Sequence, residues 1–279
     1  MNGLLPLWAL PLSWSCAENP VSKEHCELGM AVTADGEAHP TLARAVARAI
    51  ELDGVVDVCP GRHEVEGRVD TTRAASVRPV TIRGGGVEVT TLVAVGNGLS
   101  GGAPLPTTLS ELTIERSNTA WTGDECTTPG ESDRECDSPF DHDGYPEGAL
   151  RLAGSWHLDE VAIVNNNGYW GGAVTVTYPS ADESATVSFE NSHVVGNVAT
   201  DSSGGALLVA HDEYFGQRGE LTITSTNTDW GAGETDNTPD DIAFASWDGY
   251  FHDSLTVHAS YSFDGVADFA CNADTYTCE

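Results

Sequence analysis

Residues 161–245 repeat one pattern three times, and this repetition constrains the fold more than any other feature of the chain. Each pass has an apolar, β-rich run, a polar elbow, a tight glycine turn and a second apolar run. The first runs are Val161–Val164, Val187–Glu190 and Leu221–Thr224, and the second are Ala173–Val176, Ala206–Val209 and Ile242–Ala245. Self-similarity with a period of a few tens of residues is typical of a solenoid, whose coils bury their apolar faces by stacking. We therefore expect parallel ladders of short strands.

Asparagine recurs at the elbows of these passes. The members at one common offset are Asn118, Asn167 and Asn227, which follow Ile114, Ile163 and Ile223, with His193 in that slot after Phe189. Asparagine tolerates left-handed backbone and can bond its own neighbours. The pattern predicts a structural ladder at the elbows, and a binding row is the alternative.

The chain before the repeats contains one predicted helix followed by short strands. Apolar residues recur at helical spacing at Leu42, Ala45, Val46, Ala49 and Ile50. Thr41 is a candidate N-cap, and Asp53-Gly54 ends the helix. Val55–Gly61 then predicts a strand and a Pro-Gly turn. Residues 96–107 are rich in glycine and proline and predict a loop.

This order of elements resembles the right-handed parallel β-helix proteins of the pectin-lyase-like superfamily. The resemblance is carried by Leu42–Ile50, Val55–Gly61 and Val80–Gly86. It implies an all-β fold: a right-handed parallel β-helix solenoid over roughly residues 40–260, with the helix as an N-terminal cap. The later passes are similar to exported bacterial β-helix repeat proteins and lipoproteins of unassigned activity.

The remaining segments suggest an exported protein. Residues 1–16 resemble a signal peptide, with an apolar run at residues 4–14. Cys16 is then either a lipidation site or a thiol lost with the leader. Residues 17–39 predict a polar linker, and residues 40–279 form one domain with an acidic insertion at 122–148. We expect an outer-membrane or cell-surface lipoprotein, or an extracellular protein.

Six further cysteines can form local pairs, which indicates disulfides in an oxidising compartment. The pairs suggested by position are Cys126 with Cys136, Cys271 with Cys278, and Cys26 with Cys59. The pair near the C-terminus would close a small cap over the last coil.

The charge is acidic and uneven. The net charge is -31, and residues 100–279 hold 31 of the 43 acidic groups but only 4 of the 12 basic ones. Such a surface repels nucleic acid and anionic lipid, so membrane contact would come only through a lipid anchor. It attracts cations, although acidity that only maintains solubility is the alternative.

Known catalytic motifs find little support in this chain. Residues 98–102 match the G-x-S-x-G elbow of hydrolases, but Pro104 and Pro106 forbid the helix that must follow it. Of the basic residues beyond position 99, only Arg116 and Arg151 flank strand runs, without an evident carboxylate cluster. Asp240-Asp241 suggests a hydrolase acid pair, and a turn into the next strand is the simpler interpretation. We therefore predict no catalytic residues.

The acidic insertion is the predicted metal site. Its carboxylates are the hard oxygen ligands that Ca²⁺ prefers. The candidate ligands are Asp137, Asp141, Asp143 and Glu147. The insertion departs from the EF-hand register, and a solvated acidic loop is the alternative.

Three tryptophans share one offset after an elbow asparagine and are candidate carbohydrate contacts. They are Trp121, Trp170 and Trp230. Aromatic faces pack against sugar rings, although a structural stack beneath the loops is the alternative. The expected function is a non-catalytic, monomeric envelope or surface protein that contacts carbohydrate or protein. The alternative is a polysaccharide lyase or hydrolase of the pectin-lyase-like fold.

Overall fold

A computed structural model gives the structure of the chain. It describes residues 26, 30–70, 79–116, 148–168, 171–177, 179, 183–199, 204–211, 219–246, 259–264 and 269–270. This part of the chain is mostly β, with one α-helix and one short 3-10 helix. The predictions for residues 1–16, for the acidic insertion through Glu147, and for the cap at residues 271–279 lie outside it.

The helix α1 spans Leu42–Glu51, and the 3-10 helix η1 spans Gly233–Thr235. The strands are β1 (Ala31–Thr33), β2 (Ala38–His39), β3 (Val55–Val58), β4 (Gly61–Asp70), β5 (Val80–Arg83), β6 (Thr90–Arg116), β7 (Leu150–Val164), β8 (Asn167–Gly168), β9 (Val174–Thr177), β10 (Ser184–Glu190), β11 (His193–Val195), β12 (Val198–Ala199), β13 (Leu207–His211), β14 (Glu220–Thr226), β15 (Ile242–Ser246), β16 (Ala259–Ser262) and β17 (Phe269–Ala270).

Fifteen of these strands belong to one large sheet, and β8 pairs with β12 in a second, small one. Within the described strands, pairing is parallel except where β1 meets β2 and β3. The first parallel ladder runs β3-β5-β6-β7-β10-β14-β16, the second runs β6-β7-β11, and the third includes β4-β6-β7-β9-β13-β15-β17. Mostly parallel pairing is thus the main feature of the fold.

The long strand β7 belongs to all three ladders because its backbone bends twice. Gly154 has φ 78° and Glu160 has φ 53°, so the strand changes direction at both residues. Glu111 (φ 54°) bends β6 at the position that registers with Glu160. Each ladder therefore has its own outward face.

Apolar side chains alternate inward along the strands and form one core. In β10 and β14 every second residue is buried, which places Val187 beside Ile223 and Ala185 beside Leu221. The second runs expected from the sequence also pair: Val174 registers with Leu207, and Leu207 with Ile242. This part of the repeat prediction is confirmed.

The helix α1 packs on the N-terminal end of the core as predicted. Its buried residues are Leu42, Ala45, Val46, Ala49 and Ile50. The hydroxyl of Thr41 accepts a hydrogen bond from the backbone N–H of Arg44 at 3.4 Å, which satisfies one free donor of the first turn. The predicted N-cap is confirmed.

Residues 31–39 correct the linker prediction, because they contain β1 and β2. Strand β1 pairs with β3 and so extends the sheet. Asp35, in the turn after β1, bonds the guanidinium of Arg48 on α1 at 2.9 Å. The hydroxyl of Thr33 and this guanidinium lower the pKa of Asp35 to about 2. Cys26 and Cys59 form the third cysteine pair of the sequence analysis, a disulfide that ties this region to the end of β3.

Two further predictions were wrong. Residues 96–107 lie within β6, and pairing with β4 and β7 holds this stretch extended despite its glycines. The predicted equivalence of Val161–Val164 with Val187–Glu190 is also wrong. Val187–Glu190 registers with residues 156–159, whereas Val161–Val164 belongs to the second ladder. The described part of the chain contains no helix long and apolar enough to cross a membrane.

Candidate functional site

The outward face of the first ladder carries rows of polar side chains that lie in register. We call it the polar face and define it by the alternate, outward residues of β5, β6 (107–110), β7 (155–159), β10, β14 and β16. One row consists of Thr81, Thr108, His157, Ser188, Thr224 and Ser262. Its neighbouring rows consist of Arg83, Ser110, Asp159, Glu190 and Thr226, and of Ser155, Thr186 and Thr222. The period of two places these groups outside because their neighbours in sequence fill the core.

His157 and Ser188 make a side-chain contact between neighbouring strands of the polar face. The imidazole Nδ1 lies 2.8 Å from the Ser188 hydroxyl oxygen. Both residues are half-buried, so the pair is accessible yet held in place. The adjacent Ser155 hydroxyl accepts a hydrogen bond from the backbone N–H of Thr186 at 3.1 Å.

Two acidic residues occupy register positions on neighbouring strands of this face. Asp159 of β7 and Glu190 of β10 are register partners, and Asp159 Oδ1 accepts a hydrogen bond from the Asn191 amide at 3.0 Å. Like charges on neighbouring strands are destabilising. Residues 155–160, 184–190 and 220–226 contain no Lys or Arg to offset them. The fold therefore retains a local excess of negative charge here.

Arg83, the basic residue at the other end of the polar face, forms an ion pair with Asp57. Arg83 of β5 donates to Asp57 Oδ1 through Nη2 at 2.7 Å and through Nε at 2.9 Å. The negative charge around Asp159 is thus not neutralised from within the face.

The exposed corner beside the polar face is a column of left-handed residues. Glu111, Glu160, Asn191 and Asn227 have φ between 49° and 54°. Asn227 donates through Nδ2 to Asn191 Oδ1 at 2.8 Å, which links the ends of β10 and β14. Next to Asn227, burial opposes ionisation of Asp264. Hydrogen bonds from the Ser225 hydroxyl and from backbone N–H groups outweigh burial, so the pKa of Asp264 lies below its usual value.

A second asparagine ladder lies inside the protein. Asn166, Asn197 and Asn237 are 0 %, 0 % and 3 % exposed. Asn166 donates through Nδ2 to Asn197 Oδ1, and Asn197 does the same to Asn237 Oδ1, both at 2.9 Å. The backbone N–H groups of Asn166 and Asn197 donate to the same two oxygens at 3.0 Å. These amides link the chain segments that follow β7, β11 and η1.

The sequence prediction of the elbow ladder was wrong, because its members do not share a column. Asn167 registers with Val198, His193 with Ala162, and the exposed Asn227 adjoins Asn191. Asn118 lies outside the described residues. A signal for the buried ladder was present: Asn166 and Asn197 each follow a buried second-ladder residue by three positions, Ile163 and Val194. The 3-10 helix η1 intervenes before Asn237, and the spacing is lost.

Asp241 lies at the end of the buried ladder. It is 2 % exposed, and its Oδ1 accepts a hydrogen bond from Asn237 Nδ2 at 2.7 Å. The residue immediately precedes β15, as the turn interpretation predicted. Because the carboxylate is buried, Asp240-Asp241 cannot act as an exposed acid pair.

Trp230 does not belong to a carbohydrate platform, which corrects that prediction for this residue. It is 2 % exposed. Its ring makes edge-on contacts with Phe189 and Phe263, with centroids 5.4 and 5.6 Å away. The indole therefore fills the core. Trp121 and Trp170 lie outside the described residues.

Other candidate centres lie elsewhere or lack the required groups. Ser100 of the G-x-S-x-G match lies within β6, paired with Arg68 and Arg151, and no helix follows it. The described residues contain no group of three or more His, Cys, Asp or Glu placed to hold a metal ion. Asp137, Asp141, Asp143 and Glu147 lie outside them, as do Cys16, Cys126, Cys136, Cys271 and Cys278. A cavity of about 340 Å³ beside α1 is lined by Met30, Thr41, Leu42, Ala43, Glu64, Val65 and Val95.

The comparisons with known proteins assign no function to the chain. A scan against protein families matches no family, and searches of curated proteins and of solved structures return no match. Function is therefore inferred from the side chains of this face.

Proposed function

We propose that the chain is an exported right-handed parallel β-helix that binds carbohydrate through its polar face without catalysis. The parallel ladders, the bent strands β6 and β7, and the buried amide ladder support the coiled architecture. The ladder rungs are separated by 31 and 40 residues, the length of one coil. Right-handedness is supported by the strong preference of parallel crossovers for that hand.

The composition of the polar face favours carbohydrate over protein as the ligand. Its hydroxyl, imidazole and carboxylate groups donate and accept the hydrogen bonds that sugar hydroxyls require. Protein interfaces, in contrast, have an apolar, aromatic centre. Among the residues whose burial the structure describes, only Val89 and Tyr261 are large exposed hydrophobic residues, and neither belongs to the outward rows that define this face. The in-register polar rows around His157 and Ser188 are the observation that carries the proposal.

A polysaccharide hydrolase is the second candidate, and the neighbouring carboxylates Asp159 and Glu190 are the observation that favours it. Glycoside hydrolysis uses two carboxyl groups that flank the scissile bond, one of them protonated. One Asp159 oxygen already accepts the Asn191 amide. A lyase is less favoured, because the adjacent strand segments contain no Arg or Lys to act as the base. Binding without cleavage therefore has the stronger support.

A glycan array followed by calorimetry tests the proposal on the full chain. His157→Ala removes the imidazole and its bond to Ser188, and we expect roughly tenfold weaker binding. His193→Ala is the matched control, since His193 is an exposed histidine on the second ladder. Equal losses in the two variants, or no glycan bound by the unmodified protein, would refute the proposal. Release of new reducing ends or unsaturated sugars would support catalysis instead.

Export and calcium binding are separate proposals. The disulfide between Cys26 and Cys59 supports an oxidising compartment. Calcium binding by the acidic insertion stays a prediction, and a calorimetric titration in which Ca²⁺ gives neither heat nor a melting shift would contradict it.

A further inference from the structure

The charge of the polar face indicates which carbohydrates it prefers. Around its centre it presents Asp159 and Glu190, with Glu160 exposed at the adjoining corner and Glu220 exposed at the start of β14. The chain as a whole has a net charge of -31, so the local field is reinforced by the rest of the protein. Positively charged ligands are attracted to such a face, and anionic ligands are repelled.

We propose that the polar face binds amino-sugar polymers, whose ammonium groups are positively charged, in preference to neutral or anionic polysaccharides. This inference rests on the proposed carbohydrate-binding function. The carboxylates of Asp159 and Glu190 pair with the ammonium groups. The hydroxyl groups of the neighbouring rows bond the sugar hydroxyls.

The hydroxyl rows favour a polysaccharide over other polycations. The hydroxyls of Ser188 and Thr224 lie on consecutive strands, as do those of Thr186 and Thr222. Neighbouring strands are about 4.8 Å apart. An extended polysaccharide repeats its hydroxyls at a similar interval, so a chain that crosses the strands meets one set of donors and acceptors per sugar. A basic peptide can pair with the carboxylates, but its backbone groups repeat at about 3.3 Å and do not match the interval between these hydroxyls.

The test compares three oligosaccharides of equal length by calorimetry with the full chain. They are a glucosamine oligomer, its N-acetylated counterpart and an oligogalacturonate, in a slightly acidic buffer where ammonium and carboxylate groups are both charged. We expect the glucosamine oligomer to bind roughly tenfold more tightly than the N-acetylated one. Its affinity should fall as salt is added, because exposed charges are screened. The oligogalacturonate should not bind.

Matched variants assign this preference to the face. Asp159→Asn with Glu190→Gln keeps the side-chain shapes and removes two charges, and should weaken glucosamine binding roughly fivefold with little effect on the N-acetylated oligomer. Glu234→Gln with Asp236→Asn removes the same charge from exposed positions at η1, away from the polar face, and should have little effect.

Each other outcome overturns the inference in a distinguishable way. Equal binding of glucosamine and N-acetylated oligomers would refute the charge preference and leave carbohydrate binding intact. No binding of any saccharide would refute both proposals. If polylysine binds as tightly as the glucosamine oligomer, and Ser188→Ala with Thr224→Ala weakens neither, the face is a general polycation surface and the amino-sugar assignment is wrong.

Discussion

Asn197→Ala should be among the most destabilising substitutions in the chain. The side chain is 0 % exposed and makes four hydrogen bonds. Its Oδ1 accepts from the backbone N–H and the amide of Asn166. Its Nδ2 donates to the backbone carbonyl of Ile163 at 3.1 Å and to Asn237 Oδ1 at 2.9 Å.

The expected loss follows from the groups that the substitution leaves unpaired. The Asn166 backbone N–H and the Ile163 carbonyl lose their hydrogen bonds to the Asn197 side chain. The Asn166 side-chain amide loses the shorter of its two hydrogen bonds, the 2.9 Å bond to Asn197 Oδ1. Asn237 Oδ1 keeps the backbone N–H of residue 197. A buried polar group without a partner costs about 1–3 kcal/mol. The two backbone groups left unpaired give a decrease of about 2–6 kcal/mol in the free energy of unfolding, a large share of the stability of a typical domain.

Equilibrium unfolding in urea, followed by circular dichroism, measures this loss. Asn197→Asp tests the acceptor and the donor of this side chain separately. It keeps the oxygen that accepts from Asn166, but it replaces the NH₂ group that donates to Asn237 Oδ1 by a second oxygen. It should be at least as destabilising at neutral pH and recover in part when acid protonates the buried carboxyl. Asn167→Ala, at an exposed position, is the control and should cost about 0.5 kcal/mol or less. A loss of under 1 kcal/mol for Asn197→Ala would refute the reasoning.

Two further predictions concern stability. Because the pKa of Asp35 is lowered to about 2 from 3.8, its contribution is complete above about pH 4 and is lost as the pH falls towards 2. Asp35→Asn should flatten that part of the stability profile measured by thermal unfolding from pH 5 to 2, and an unchanged profile would contradict this. Gly172→Ala should prevent native packing, because its Cβ would lie 2.2 Å from the Gly205 carbonyl oxygen. Circular dichroism and gel filtration would show the defect, and a native-like Gly172→Ala protein would contradict the close approach of residues 172 and 205.

Local patterns in the sequence were enough to predict several elements. The helix α1 has its five buried positions at helical spacing, and Thr41 provides a side-chain cap. The runs that begin near Val174, Leu207 and Ile242 pair in register as predicted. Both features depend on periodicity, which is a property of neighbouring residues and can be read from a single segment.

The register of the strands depended on the tertiary structure. The stretch Val164–Gly168 contains three consecutive asparagines, and the local sequence pattern does not indicate which of them is buried. Pairing of β7 with β11 selects Asn166 for the interior and leaves Asn167 exposed. A shift of one residue exchanges inside and outside, which is why the predicted ladder was wrong.

The sequence alone determined that apolar strands follow an N-terminal helix in this chain, and that the chain is strongly acidic. Only the tertiary structure decided which polar groups lie together. His157 contacts Ser188, and Asp159 adjoins Glu190, across 31 residues of chain. Such pairs arise because β7 and β10 lie side by side in parallel register, which local sequence patterns do not reveal. For the same reason Trp230, which looked like a surface aromatic, fills the core against Phe189.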